Sequence, residues 1–115
     1  MHFTDNLIRG TVTPMVLAML AERPMYGYEI IKLVHARTDG KLQWKEGTLY
    51  PALHKMQADG LLAAAWQQPP ADGDAPPRKR KYYRLTRKGK TQLARQARQW
   101  KELSDAVDAV MLRWT

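Results

Sequence analysis

The residues best suited to chemistry in this chain are its cations, and they are unevenly placed. The net charge is +8. Residues 1–60 carry seven Lys/Arg against six Asp/Glu, whereas residues 78–101 carry eleven Lys/Arg and no acid. Arg78, Lys79, Arg80, Lys81, Arg84, Arg87, Lys88 and Lys90 put eight cations into thirteen residues. Like charges at that density repel one another unless solvent or a polyanion screens them. A localised basic stripe is the electrostatic footprint of a polyanion-binding surface. Taken alone, the run reads equally as a solvated, solubilising face or as a targeting signal.

A second group sits on a segment of helical pattern, Glu46 to Asp59. Leu49, Leu53 and Met56 fall at i, i+4 and i+7 and so share a buried face. Gly47, Pro51, His54, Lys55 and Ala58 then face outward, with Thr48 and Tyr50 on the flanks. So small a face, poor in acids, can enter a major groove about 12 Å wide. Lys55 could meet a phosphate, and Thr48, Tyr50 and His54 could meet phosphates or base edges. The alternative is an ordinary amphipathic helix with an idle outer face. Tyr26-Gly27-Tyr28 forms a third group. Gly27 would let another backbone pass closely, the two rings could pack the first helix against the third, and the Tyr26 hydroxyl could reach a phosphate.

Catalytic patterns are missing from the sequence. There is no cysteine, which removes disulfides, thiolate zinc sites and thiol nucleophiles. His2, His35 and His54 lack metal-ligand spacing. There is no dinucleotide fingerprint, P-loop or nucleophile elbow. Asp72 and Asp74 are close, but in a loop-like stretch. The reading is a binding protein without enzymatic activity, metal or cofactor.

These groups need elements to hold them. With 115 residues there is room for one domain. Thr13-Pro14 reads as an N-cap and first helical residue, opening an apolar helix that ends before Pro24. Leu7, Ile8 and Val12 suggest a short helical arm ahead of it. Tyr26 to Arg37 reads as a second helix with Ile30, Ile31 and Val34 inward and Asp39-Gly40 as its stop. A short connection through Leu42 and Trp44 leads to the helix over 46–59, closed by Gly60. Pro51 fits if that helix starts near Gly47, where the first amides lack partners anyway. Leu61 to Gln67 and Arg80 to Leu85 read as a hairpin, joined through a tip with two Pro-Pro pairs, Asp72 and Asp74.

Thr86 then caps a helix over about Arg87 to Arg113. Leu93, Ala97, Trp100, Ser104, Val107, Met111 and Trp114 alternate spacings of four and three, a heptad seam for packing along another helix. Leu103 and Val110 broaden the stripe. Across a two-fold axis two Trp100 rings would lie near each other, as plain packing or as walls for a planar apolar or cationic ligand. The expected architecture is mainly α with a two-stranded β-wing: a winged helix-turn-helix over residues 1–86 and a dimerisation helix over 87–115, in one compact unit. No signal peptide or membrane span is evident, so a cytoplasmic protein is expected. A module that recruits proteins through the last helix, or a ligand carrier built on Trp100, is the alternative to a DNA-binding regulator.

Four motifs in order carry a resemblance. Met25-Tyr-Gly-Tyr-Glu-Ile30, Glu46-Gly-Thr-Leu-Tyr-Pro-Ala-Leu53, Gly60-Leu-Leu62, and Arg80-Lys-Tyr-Tyr-Arg-Leu-Thr86 with Gly89 resemble the PadR family of bacterial transcriptional regulators, over about Arg9 to Gly89. The short final helix is similar to that of the family's smaller subgroup. The resemblance implies a homodimeric winged helix-turn-helix that usually represses nearby genes. It implies that Tyr50 and its neighbours meet double-stranded DNA, with the basic wing beside them. It also implies that Trp100 lines an effector pocket at the dimer interface. The long, acidic, proline-rich wing tip departs from the family pattern, which leaves the contacts to the wing's base, Arg78 to Arg84.

Overall fold

The computed structural model describes residues 10–68 and 78–114. The elements run α1 (Val12–Leu20), β1 (Met25–Tyr26), α2 (Gly27–Arg37), α3 (Glu46–Ala58), β2 (Leu62–Gln67), β3 (Arg80–Leu85) and α4 (Arg87–Met111), followed by a 3-10 turn, Leu112–Trp114. The expected arm before α1 and the Pro-rich wing tip lie outside the described residues.

Three helices enclose the core. Val16, Leu17 and Leu20 from α1 meet Ile30 and Val34 from α2 and Leu49, Leu53 and Met56 from α3. Met25, Leu61, Leu62, Tyr83 and Leu85 close it from the sheet side. Each fully buried aliphatic side chain contributes about 1.5–3 kcal/mol through removal from water. Trp44, in the connection before α3, is also buried and anchors that segment.

Local chemistry sets the helix ends. α1 begins at Val12, before the expected Thr13 cap, because the Met15 amide already donates to the Thr11 carbonyl. Pro14 then falls in the first turn, where a missing N–H costs nothing. At the end of α2, Asp39 and Gly40 take positive φ, and the Gly40 amide reaches back to the His35 carbonyl at 2.8 Å. Gly60 closes α3 in the same way, with the Leu61 amide on the Met56 carbonyl at 2.9 Å. Pro51 departs from expectation. α3 starts at Glu46 and the Leu49 amide already bonds to the Lys45 carbonyl, so Pro51 lies within the bonded helix and leaves the Gly47 carbonyl without its usual donor. α4 ends at Met111, slightly earlier than expected, and tightens into the 3-10 turn.

The wing has one more strand than expected. β1 pairs antiparallel with β3, which also pairs with β2, so the strand order is β1-β3-β2. Met25 faces Tyr83 and Tyr26 faces Tyr82 across the first pair, and Leu62 faces Leu85 and Gln67 faces Arg80 across the second. A two-residue strand carries too little periodicity to be read from sequence.

The most crowded point joins α3, the wing and α4. The Thr86 amide donates to the Leu61 carbonyl at 3.1 Å. The Thr86 hydroxyl accepts from the Gly89 amide at 3.0 Å, capping α4, and lies 2.7 Å from the Gly60 carbonyl. Lys88 Nζ donates to the Asp59 carbonyl at 2.8 Å. Gly89 is buried there, and a Cβ on it would collide with the Leu61 carbonyl and stand 2.7 Å from Leu85 Cδ1. Gly89→Ala would improve intrinsic helix propensity by about 1 kcal/mol. The overpacking outweighs that gain, and a net destabilisation of about 1–3 kcal/mol is expected in denaturant unfolding. An unchanged or raised midpoint would contradict the close approach.

Candidate nucleic-acid interface

A cleft of about 360 Å³ lies between α3 and the wing. Tyr26, Gly27 and Tyr28 line it from the start of α2, Tyr50 and His54 from α3, and Trp66, Arg78, Lys79, Arg80, Lys81 and Tyr83 from the wing. No acidic side chain is among these residues. The helix, the wing and the Tyr-Gly-Tyr segment, which the sequence presents separately, thus share one surface.

The pleat of the sheet divides the wing residues between two faces. Tyr83 and Leu85 face the core. Lys81 shares their face but lies further toward the tip, as does Trp66 relative to Leu62 and Ala64 on β2. Lys81 and Trp66 are direct cross-strand partners. Arg80, Tyr82 and Arg84 belong to the other face. There the Arg80 guanidinium lies over the Tyr26 ring at 5.0 Å, and Tyr26 meets Tyr82 edge to face at 5.4 Å. This stack holds the first wing residue of β3 against the N-terminus of α2, each contact contributing about 0.5–1.5 kcal/mol.

Tyr50 depends on Gly27. A Cβ at Gly27 would stand 2.6 Å from the Tyr50 hydroxyl, so the glycine makes room for a phenol ring. The sequence expectation of a passing backbone is corrected accordingly. Burial raises the Tyr50 pKa above its ordinary value, with the Glu46 carboxylate adding to the effect and Arg80 opposing it. The phenol therefore keeps its proton at neutral pH and can donate a hydrogen bond to an anion. The hydroxyl lies beside Gly27 at the start of α2, where the first amides of a helix lack intrahelical partners and carry positive partial charge. Glu29 accepts from the Tyr26 amide at 3.2 Å and pairs with Arg23 at 2.9 Å, which fixes the start of that helix.

Of the sequence candidates, Tyr26, Tyr50, His54, Arg78, Lys79, Arg80 and Lys81 line the cleft. Thr48, Pro51 and Lys55 are exposed on α3 outside it, and Lys55 pairs with Asp59 at 3.0 Å. Arg84 is exposed on the outer face of the wing. Tyr28 does not pack helix on helix as expected: it is 52 % exposed, with Lys32 Nζ over its ring at 5.5 Å. Trp66, absent from these candidates, also lines the cleft and is 68 % exposed. Its parity with Leu62 and Ala64 was the available signal.

On α4 the seam divides in two. Leu93 packs against the chain's own core, whereas Trp100, Val107 and Met111 are exposed, together with Leu103 and Val110. Ala97 is exposed and Ser104 half-buried. The Trp114 side chain lies outside the described residues. Among the described residues there is no cluster of three or more His, Cys, Asp or Glu able to hold a metal, and no helix long and apolar enough to cross a membrane.

Residues 16–95 match the Transcriptional regulator PadR-like family. A transcriptional regulator of Mycobacterium tuberculosis is 43 % identical over 106 residues, covering 92 % of this chain and 75 % of the relative. Among solved structures, a transcriptional regulator from Clostridium thermocellum superposes with a TM-score of 0.81 at 27 % identity, covering 95 % of this chain and 98 % of the other. A PadR family transcriptional regulator from Eggerthella lenta gives 0.72 at 35 % identity, covering 92 % and 86 %. With the winged-helix architecture, the cationic cleft and a family match across most of its length, this chain belongs to the PadR-like family of transcriptional regulators.

Proposed function

We propose that this chain acts as a homodimeric, ligand-responsive repressor on an inverted-repeat operator in double-stranded DNA. The observation that supports this reading best is the acid-free cleft between α3 and the wing. α3 presents Thr48, Pro51, His54 and Lys55 to the major groove, while Arg78, Lys79, Arg80, Lys81 and Arg84 neutralise phosphates beside it. Tyr26 and Tyr50 donate to a phosphate near the N-terminus of α2. Residues 1–86 form the DNA-binding part and 87–115 the dimerising part of one compact unit. The dimer forms along Leu93, Ala97, Trp100, Ser104, Val107 and Met111, and half-sites lie about 34 Å apart, one turn of duplex. The open apolar side chains from Trp100 to Met111 support that interface.

The electrostatic part is tested by fluorescence anisotropy on labelled duplexes over a salt series. Each phosphate contact contributes about −0.9 to the slope of log K against log salt. Replacing Arg78, Lys79, Arg80 and Lys81 by Gln is expected to weaken binding to every sequence and to make the slope shallower by up to about 3.6. A slope unchanged in that variant would remove the wing from the interface.

The effector site is proposed at Trp100, where the two indoles of a dimer would flank a planar apolar or cationic molecule. Saturable quenching of tryptophan emission by a planar aromatic cation is expected, and Trp100→Ala is expected to abolish that component. Quenching that persists in Trp100→Ala would leave Trp100 a packing role only.

A further inference from the structure

Trp66 is the side chain for which the fold has no use. Its indole is 68 % exposed, although tryptophan carries the largest apolar surface of any residue. It stands on the cleft-facing side of β2, beyond the point where that face stops covering the core. Lys81 is its direct cross-strand partner, and His54 lines the same cleft from α3. Directly opposed side chains on a sheet have Cβ atoms about 4.5–5.5 Å apart. The Lys81 ammonium lies over the Tyr83 ring at 5.4 Å, and indole and ammonium both border the cleft. The indole N–H is a donor only, as is the ammonium, so both suit an acceptor-rich anion.

We infer that Trp66 packs its ring on the deoxyribose of one DNA strand while Lys81 holds the adjoining phosphate, so that the wing contributes a salt-independent share of affinity. The inference rests on the DNA-binding reading above and goes beyond it. A sugar–phosphate strand alternates apolar rings with charged oxygens, and the Trp66–Lys81 pair offers a complementary surface to each. Covering the sugar also excludes water from the phosphate contact, which strengthens the ion pair through a lower local dielectric. The contact reads no base edge, so it adds to binding on all sequences.

The two halves of the pair separate experimentally because only one carries charge. Binding of the full chain to a labelled duplex is measured by anisotropy across a salt series for the parent, W66A, W66F and K81Q. W66A is expected to lose about tenfold in affinity, the scale of removing a covered apolar side chain from an interface, with the salt slope unchanged. W66F is expected to retain most of the affinity. K81Q is expected to make the slope shallower by about 0.9. W66A that binds like the parent, or that changes the slope as K81Q does, overturns the inference. If W66A fails to melt cooperatively, W66Q takes its place under the same criteria. A parent that does not bind duplex would overturn the DNA-binding reading itself, whereas a binding parent with an indifferent Trp66 would overturn this inference alone.

Discussion

The close approach of Gly89 to Leu61 is the contact on which the rest of this structure depends. Three elements meet there: the C-terminal end of α3, the start and end of the wing hairpin, and the first turn of α4. Thr86 bridges them, accepting from Gly89 while its own amide donates to Leu61. Lys88 reaches back to the carbonyl of Asp59 at the end of α3. α4 therefore leaves the domain at an angle set by backbone contacts rather than by a flexible linker. Its 25 residues span about 37 Å. On the proposed dimer, a fixed angle at this junction becomes a fixed distance between two recognition helices.

The proposed interface divides its work by residue type. Cations on the wing attract a polyanion but discriminate little, because phosphates carry no sequence. The exposed face of α3 carries Glu46 in its first turn and Lys55 in its last among small or uncharged residues, so its net charge is low. Aromatic rings hold the two parts in register: Tyr26 carries Arg80 on its face, and Tyr50 fills the space that Gly27 leaves open. The short strand β1 makes this possible by bringing Tyr26 alongside Tyr82. Without it, the start of α2 and the wing would be separate surfaces.

Much of this was legible in the sequence. The apolar spacing of Leu49, Leu53 and Met56 identified the inner face of α3, Gly60 its end, and Thr86 the cap of α4. Of the seven candidates that line the cleft, Arg78 to Lys81 follow from charge, Tyr50 and His54 from helical periodicity, and Tyr26 from the Tyr-Gly-Tyr segment. What escaped was tertiary. The strand Met25–Tyr26 is too short for a period and exists only because β3 offers it an edge. Gly27 suggests room for a passing backbone, because nothing in the local sequence says that a tyrosine ring from the next helix fills the space. Tyr28 looked like a packing residue by type, yet its position on α2 turns it outward. Pro51 lies deeper in its helix than the missing amide alone would favour, and packing of Leu49 and Leu53 on either side holds the helix together across it.

On the proposed dimer, this junction holds the two recognition helices at one helical turn of DNA. The chain has no cysteine, so a single Ala58→Cys substitution on the exposed end of α3 can be spin-labelled uniquely. Pulsed electron–electron double resonance then measures the distance between the two labels directly. A single narrow distribution whose centre is little changed by a duplex with half-sites about 34 Å apart is the expected result. A broad distribution, a centre that moves when such a duplex binds, or no dipolar coupling at all would contradict a rigid junction.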